Sequence, residues 1–408
     1  MYSPLCFVDS VFVICYNECL IQSKKGGRSV KLTFSDIRSF LKRTDMLLFA
    51  LCLISSIMGI VVISSVTRDN RGTYIAVQTA ALLIGIALYF FFTVIDLDII
   101  ADQWPLLLVM EIGLFLLLIP FGDAGDTGNK SWIRFAGIGI QPSEIVKIIY
   151  VVLSAKHITY LKNYRTLDSV LSVGQLAAHF GLLFLLLLGI SGDLGNALIF
   201  FFVFIAMMFV AGLKIYWFIF GAAAMAIVIP IAWNNVFTDD QKERILAPYD
   251  PTIDPLGYGV NWESINAKQA LAAGRLTGTG LGEGLQTQSI NSKHADYIFA
   301  SAGEELGMIG CLIIFTLLVA IILRCVYVGL HSQSTFGMLT CFGIAAAFFF
   351  QIFENIGMCI GLTPVIGVAL PFFSYGGSSL FTSFAAMGIV SGIHYRPKPS
   401  QHMTYAEY

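Results

Sequence analysis

The side chains of this 408-residue sequence best suited to chemistry collect where its longest polar loop meets an apolar run. That stretch, Ser289 to Gly307, reads Ser-Ile-Asn-Ser-Lys-His-Ala-Asp-Tyr-Ile-Phe-Ala-Ser-Ala-Gly-Glu-Glu-Leu-Gly and continues into apolar Met308 to Val328. It sets Asp296, Glu304 and Glu305 where water gives way to hydrocarbon. An ionisable group kept at such a boundary is a candidate for function. Tyr297, Ile298 and Phe299 would desolvate Asp296 on one side, while Lys293 and His294 bring positive or hydrogen-bonding groups. Surroundings so mixed can tune a carboxylate into a general base.

A second charged group opens another apolar run, in Gln141-Pro142-Ser143-Glu144-Ile145-Val146-Lys147. Proline at a helix start, with Ser143 and Glu144 in the first turn, suits the positive end of the helix dipole. Glu144 and Lys147, three apart, then share one helical face. Two roles fit that spacing: a structural ion pair, or the wall of a polar cavity that accepts a charged headgroup. Glu111 and His179 each stand alone in an apolar run and read as interhelical hydrogen bonds. In Ser191-Gly192-Asp193-Leu194-Gly195 the glycines permit a tight reversal and Asp193 caps the helix that follows. The glycine-dense stretch Gly274 to Gly284 lacks the strand before it and the Lys-Ser/Thr after it of a nucleotide-binding loop, so it reads as a flexible re-entrant loop.

Membrane-spanning helices must position these groups. With 57% hydrophobic and 12% charged residues, the chain has about half the charge of an ordinary soluble protein. Apolar runs near the roughly 20 residues that cross a bilayer fall at 46–66, 73–95, 104–121, 144–160, 173–191, 194–212, 214–232, 305–328, 336–360 and 377–394. The expected fold is all-α, a polytopic integral membrane protein with about ten transmembrane helices. Orientation follows from the basic residues. Lys24, Lys25, Arg28, Lys31, Arg38, Lys42 and Arg43 precede the first run, and Lys156, Lys162, Arg165, Lys214, Arg324, Arg396 and Lys398 fall on the same side. Short loops opposite carry only Arg68, Arg71, Lys130 and Arg134. The positive excess marks the cytoplasmic face, so both termini are expected inside and residues 233–303 outside as one large extracytoplasmic loop. The expected division is a cytoplasmic tail over 1–44, a membrane domain over 45–396 and a short cytoplasmic tail over 397–408. The eight cysteines avoid the long loop and show no metal-ligand spacing with histidine, so neither a disulfide framework nor a zinc site is implied.

Toward the end, Asn355-Ile356-Gly357-Met358 and Gly361-Leu362-Thr363-Pro364-Val365-Ile366-Gly367 precede Leu370-Pro371-Phe372-Phe373-Ser374-Tyr375-Gly376-Gly377-Ser378-Ser379. Two prolines and many small residues make a non-helical segment at membrane depth, which is tolerated only where protein or a water-filled cavity satisfies its backbone. Together with Gln141 to Lys147, Gly192 to Gly195 and His294 to Gly307, this stretch resembles the shape, elongation, division and sporulation (SEDS) family of the RodA and FtsW type. The resemblance covers residues 45–396. It implies a peptidoglycan glycosyltransferase that polymerises lipid II into glycan strands at the outer face of the bacterial cytoplasmic membrane. A class B penicillin-binding transpeptidase is the implied partner, in elongation, division or sporulation.

Carried over position by position, the resemblance makes Asp296 the catalytic residue. It assigns Glu144, Lys147, Trp132, His294, Glu304, Glu305, Asp193, Ser374, Tyr375 and Ser378 to substrate binding. The chain departs from the family pattern at Ala295 (usually Thr), at Asn291-Ser292 (Pro-Glu), at Ser131 (Arg before Trp132) and at Asn266-Ala267 (Gln-Ser). The chemistry is consistent with the residues. A diphosphate leaves without needing a proton, so one carboxylate to deprotonate an attacking hydroxyl is enough. Charge developing on that diphosphate needs a cation, either a basic side chain or a divalent ion such as Mg or Mn. No organic cofactor and no nucleic acid is expected. Two rivals are a lipid II flippase, which should show related halves with paired broken helices, and a non-catalytic scaffold of wall enzymes, which would not need Asp296.

Overall fold

A chain this apolar satisfies its backbone within helices, because hydrocarbon offers no hydrogen-bond partner. A computed structural model describes residues 44–67, 71–123, 130–135, 138–235, 237–250 and 252–395. The two tails read from the sequence lie outside the described residues, apart from Thr44. The helices in chain order are α1 (Met46–Val66), α2 (Arg71–Val94), α3 (Leu97–Asp102), α4 (Trp104–Leu116), α5 (Leu118–Phe121), α6 (Pro142–Tyr164), α7 (Val170–Leu186), α8 (Leu194–Val210), α9 (Ile215–Asn235), α10 (Asp239–Leu246), α11 (Trp262–Gly274), α12 (Ile298–Leu330), α13 (Thr335–Ile360) and α14 (Gly377–His394). Every apolar run of the sequence falls on one or two of them.

Among the described residues seven helical stretches are long and apolar enough to cross a membrane: α1, α2, α4 with α5, α7 with its π-helical end, α9, α12 and α13. The other three runs differ for visible reasons. Helix α6 carries Glu144, Lys147, Lys156 and Lys162, α8 has only 17 residues, and α14 is rich in Gly, Ser and Ala. The all-α expectation misses one small element. Strands β1 (Gly122–Asp123), β2 (Trp132–Phe135) and β3 (Ile138–Ile140) pair antiparallel ahead of α6.

Local signals set the helix ends. Pro142 stands at the start of α6 as its sequence suggests. Asp193 caps α8 by accepting the Asn196 amide at 3.0 Å, after Gly192 turns the chain at φ 68°. Glu111 and His179 bond each other at 3.0 Å, joining α4 to α7. Burial is uneven: α13 and α14 are enclosed through most of their length, whereas α9 has no buried residue.

Helix α12 is broken at Gly307, whose φ of 69° and ψ of −170° are not helical. A break exposes amides and carbonyls that the helix would otherwise pair. Here the glycine-dense stretch supplies the partners. Thr279 and Gly280 donate their amides to the carbonyls of Glu304 and Glu305, and the amides of Met308 and Ile309 reach the carbonyls of Arg275 and Leu276. The stretch is therefore not the flexible loop its composition suggests. It is pinned to the broken helix through its backbone.

Candidate active site

The Asp296 loop has no regular structure, yet four consecutive carbonyls anchor it. That of Lys293 accepts from Ser301 Oγ at 2.8 Å. That of His294 accepts from the Tyr375 amide at 2.8 Å. Ala295 and Asp296 follow, accepting from Ser374 Oγ at 2.7 Å and from Asn355 Nδ2 at 2.6 Å. The donors come from α12, from the non-helical segment 361–376 and from α13, so the bundle itself sets the loop. Gln78 of α2 steadies the same segment, donating to the Ser374 carbonyl at 3.1 Å and accepting the Gly376 amide at 3.3 Å. Tyr74 and Tyr375 pack on the His294 ring, with centroids 4.8 and 5.5 Å away.

These elements enclose a cavity of about 1360 Å³. Asp296 and His294 line one side with Trp262 and Glu263 of α11. Trp132 and Arg134 of β2 contribute, as do Gln141, Glu144, Asp193, residues 365–369, and Asp240 and Arg244 of α10. The Asp296 carboxyl is half-buried, reaching the cavity while the surrounding protein desolvates it. Burial pushes it up to about 7, and the nearby charges of Glu263 and then Asp193 act in the same direction. Such a carboxyl can both accept and release a proton near neutrality. Burial, helped by the Lys293 charge, holds His294 below its usual range, which favours the neutral ring.

Of the residues expected to bind substrate, Trp132, Glu144, Asp193, His294 and Tyr375 line the cavity with Asp296. Lys147 stands behind Glu144, its Nζ 3.0 Å from Oε1 with both side chains buried, and Gln351 Nε2 reaches the same oxygen at 3.4 Å. The spacing of Glu144 and Lys147 thus gives a buried ion pair with one partner on the cavity wall. Ser374 and Ser378 act on backbone: Ser374 on the Asp296 loop, and Ser378 Oγ by accepting the Gln141 amide at 3.2 Å.

Glu304 and Glu305 are not among the lining residues. The Glu304 carboxylate accepts the amides of Leu285, Gln286 and Thr287, each at 2.8 Å, and Glu305 accepts that of Gly282 at 3.1 Å. Buried carboxylates need such donors, and here they fold the glycine-dense stretch. Arg244 and Glu263 line the cavity without any sequence signal of their own, because tertiary folding brings them in. Arg134 had a usable hint, since it alternates with Trp132 on one strand face. Among the described residues no three His, Cys, Asp or Glu side chains converge to hold a metal ion.

The fold and cavity define a multi-pass membrane protein whose polar site is walled by the Asp296 loop, a non-helical return segment and helices of the long polar loop. Residues 38–398 match the cell cycle protein family of FtsW, RodA and SpoVE, and the chain belongs to that family. The peptidoglycan glycosyltransferase MrdB of Escherichia coli K12 is 34% identical over 72% of this chain and 78% of its own. The probable peptidoglycan glycosyltransferase FtsW of Trichlorobacter lovleyi is 37% identical over 71% of this chain and 74% of its own. A chain solved in work on the structural coordination of polymerization and crosslinking by a peptidoglycan synthase complex superposes with a TM-score of 0.72. It is 27% identical over 86% of this chain and 97% of that one. The rod shape determining protein RodA of Thermus thermophilus, 24% identical, has the same fold, with a TM-score of 0.62 over 86% of this chain and 96% of that one.

Proposed function

We propose that Asp296 is the general base with which this protein, a peptidoglycan glycosyltransferase, extends glycan strands from lipid II. The observation that carries this reading is a carboxyl raised to about 7 at the edge of a large cavity lined by aromatic rings and guanidinium groups. In its ionised form Asp296 takes the proton from the attacking sugar hydroxyl, which then displaces the diphosphate at the anomeric carbon. Direct displacement inverts that centre, and the diphosphate leaves without a proton, so a second carboxyl of the glycosidase kind is unnecessary. Arg134 and Arg244 offer planar forks for the diphosphate oxygens. Trp132, Tyr74 and Tyr375 offer faces on which sugar rings stack.

Ten spans with both termini in the cytoplasm place this cavity at the outer surface of the bacterial cytoplasmic membrane. The partner is a class B penicillin-binding transpeptidase. The likeness to a chain of a complex described as coordinating polymerization with crosslinking supports that pairing.

The test is leaflet-specific. Proteoliposomes carrying the protein and the transpeptidase, with lipid II confined to the leaflet on the Asp296 side, are expected to yield glycan strands. Lipid II confined to the opposite leaflet is expected to remain unused until a separate flippase is added. Orientation is set by labelling a cysteine introduced as Ser292→Cys in a background without other reactive thiols. Movement of lipid II between leaflets by this protein alone, unchanged in Asp296→Asn, would replace the polymerase reading with a transporter.

Glu144 and Lys147 give a second expected result. Removing one partner of a buried ion pair leaves an uncompensated charge, a loss of about 3–5 kcal/mol. Glu144→Gln and Lys147→Met are each expected to lower turnover tenfold or more. The double variant should lose less than the two single losses combined, by about 1–3 kcal/mol. Rates measured for all four proteins complete the cycle, and strictly additive losses would exclude a coupled pair at the cavity wall.

A further inference from the structure

Asn355 lies about one and a half turns from the end of α13 and is fully buried. Its Nδ2 donates twice, at 2.6 Å to the Asp296 carbonyl and at 2.7 Å to the Val368 carbonyl. An amide nitrogen has two hydrogens, so both bonds form together. Rotating the amide would set its oxygen against two carbonyl oxygens, so the network admits only this orientation. Two oxygens bound to one nitrogen stand within about 5 Å of each other. The two carbonyls belong to different segments, the Asp296 loop and the non-helical return segment, and both segments line the cavity. Their approach is close: a side-chain carbon at Gly367 would come 3.2 Å from Asp296 Oδ2.

We propose that Asn355 is the positioning residue of Asp296. By holding the Asp296 and Val368 carbonyls on one amide, it fixes where the base stands relative to the segment that faces it. The inference rests on the polymerase reading of the cavity and adds to it a residue that touches neither substrate nor the reacting atoms. Its origin in α13 gives the membrane bundle direct control over the outer loop. Without the clamp the two segments separate, water reaches Asp296, and both the reach and the desolvation of its carboxyl are lost. A misplacement of about 1 Å lowers turnover by roughly 10²-fold.

The experiment compares wild type, Asn355→Ala and Asp296→Asn, each reconstituted with the transpeptidase and supplied with lipid II at a series of pH values. Asn355→Ala is expected to lower kcat by roughly 10²-fold with KM changed by less than about threefold, and to move the acid limb of the kcat profile to lower pH. The same midpoint is read without substrate from the infrared carboxyl band that Asp296→Asn removes. An inactive wild type would thus end the polymerase reading and leave this test standing. A kcat within threefold of wild type, or a loss of kcat with both the acid limb and the infrared midpoint unmoved, overturns the proposal. If Asn355→Ala does not assemble, Asn355→Ser, which keeps a single donor, is judged by the same two readouts.

Discussion

Asp296→Asn is expected to lower lipid II polymerisation by about 10²–10⁴-fold, the usual contribution of a positioned general base, while leaving the protein folded. The amide is nearly the same size and cannot take the hydroxyl proton. The pH dependence has a definite sign. A base works in its ionised form, and burial with the charges of Glu263 and Asp193 holds the Asp296 carboxyl at about 7. Wild-type rates should therefore fall as pH drops through about 7. Glu263→Gln removes one of the negative charges that disfavour the ionised form, so its acid limb should lie at lower pH than that of wild type. Polymerisation by purified protein, followed as strand length against pH, checks both statements. Full activity in Asp296→Asn would remove the carboxylate from the mechanism, and an acid limb moved upward by Glu263→Gln would contradict the electrostatic account.

The second large effect is on folding, at the break in α12. Gly307 holds a φ of 69° and Gly278 a φ of 81°. A Cβ on Gly307 would collide with the Gly278 amide and the Leu276 carbonyl, and one on Gly278 with the Glu305 carbonyl. The left-handed backbone destabilises a non-glycine residue by about 1–3 kcal/mol, and overpacking by about 1–3 more. Against a total stability of about 5–15 kcal/mol, either Gly307→Ala or Gly278→Ala should sharply lower the yield of monodisperse protein and its melting temperature in detergent. Gly174→Ala is the control, since that helical position has open space around it. Equal melting temperatures for Gly307→Ala and Gly174→Ala would show that the glycine-dense stretch does not need its backbone contact with α12.

That contact shows how far the sequence could be read. Glycine density at 274–284 is visible in the sequence, but its purpose is not, because the partners are the carbonyls of Glu304 and Glu305, beyond the polar loop. The same distance hid the role of those two glutamates. Their position at a water–hydrocarbon boundary is legible, whereas the amides that they accept, on residues 282 and 285–287, are known only once the loop has folded back.

By itself the sequence determined what depends on neighbouring residues. Continuous apolar runs specify spanning helices, since hydrocarbon leaves the backbone no other partner. Pro142 and Asp193 mark helix starts by filling needs of the first turn, and Glu144 and Lys147 meet because three residues make nearly one helical turn. Asp296 was legible as a desolvated carboxyl because its apolar neighbours follow it directly in the chain. Only the tertiary structure decided which distant groups complete the site. Arg244 and Glu263 reach the cavity from separate helices of the long polar loop. Asn355 reaches Asp296 across 59 residues, and Gln78 reaches Gly376 across 298. A hydrogen bond constrains two atoms to about 3 Å and leaves no periodic trace along the chain, so bonds of this span arise from packing and are seen only in the folded molecule.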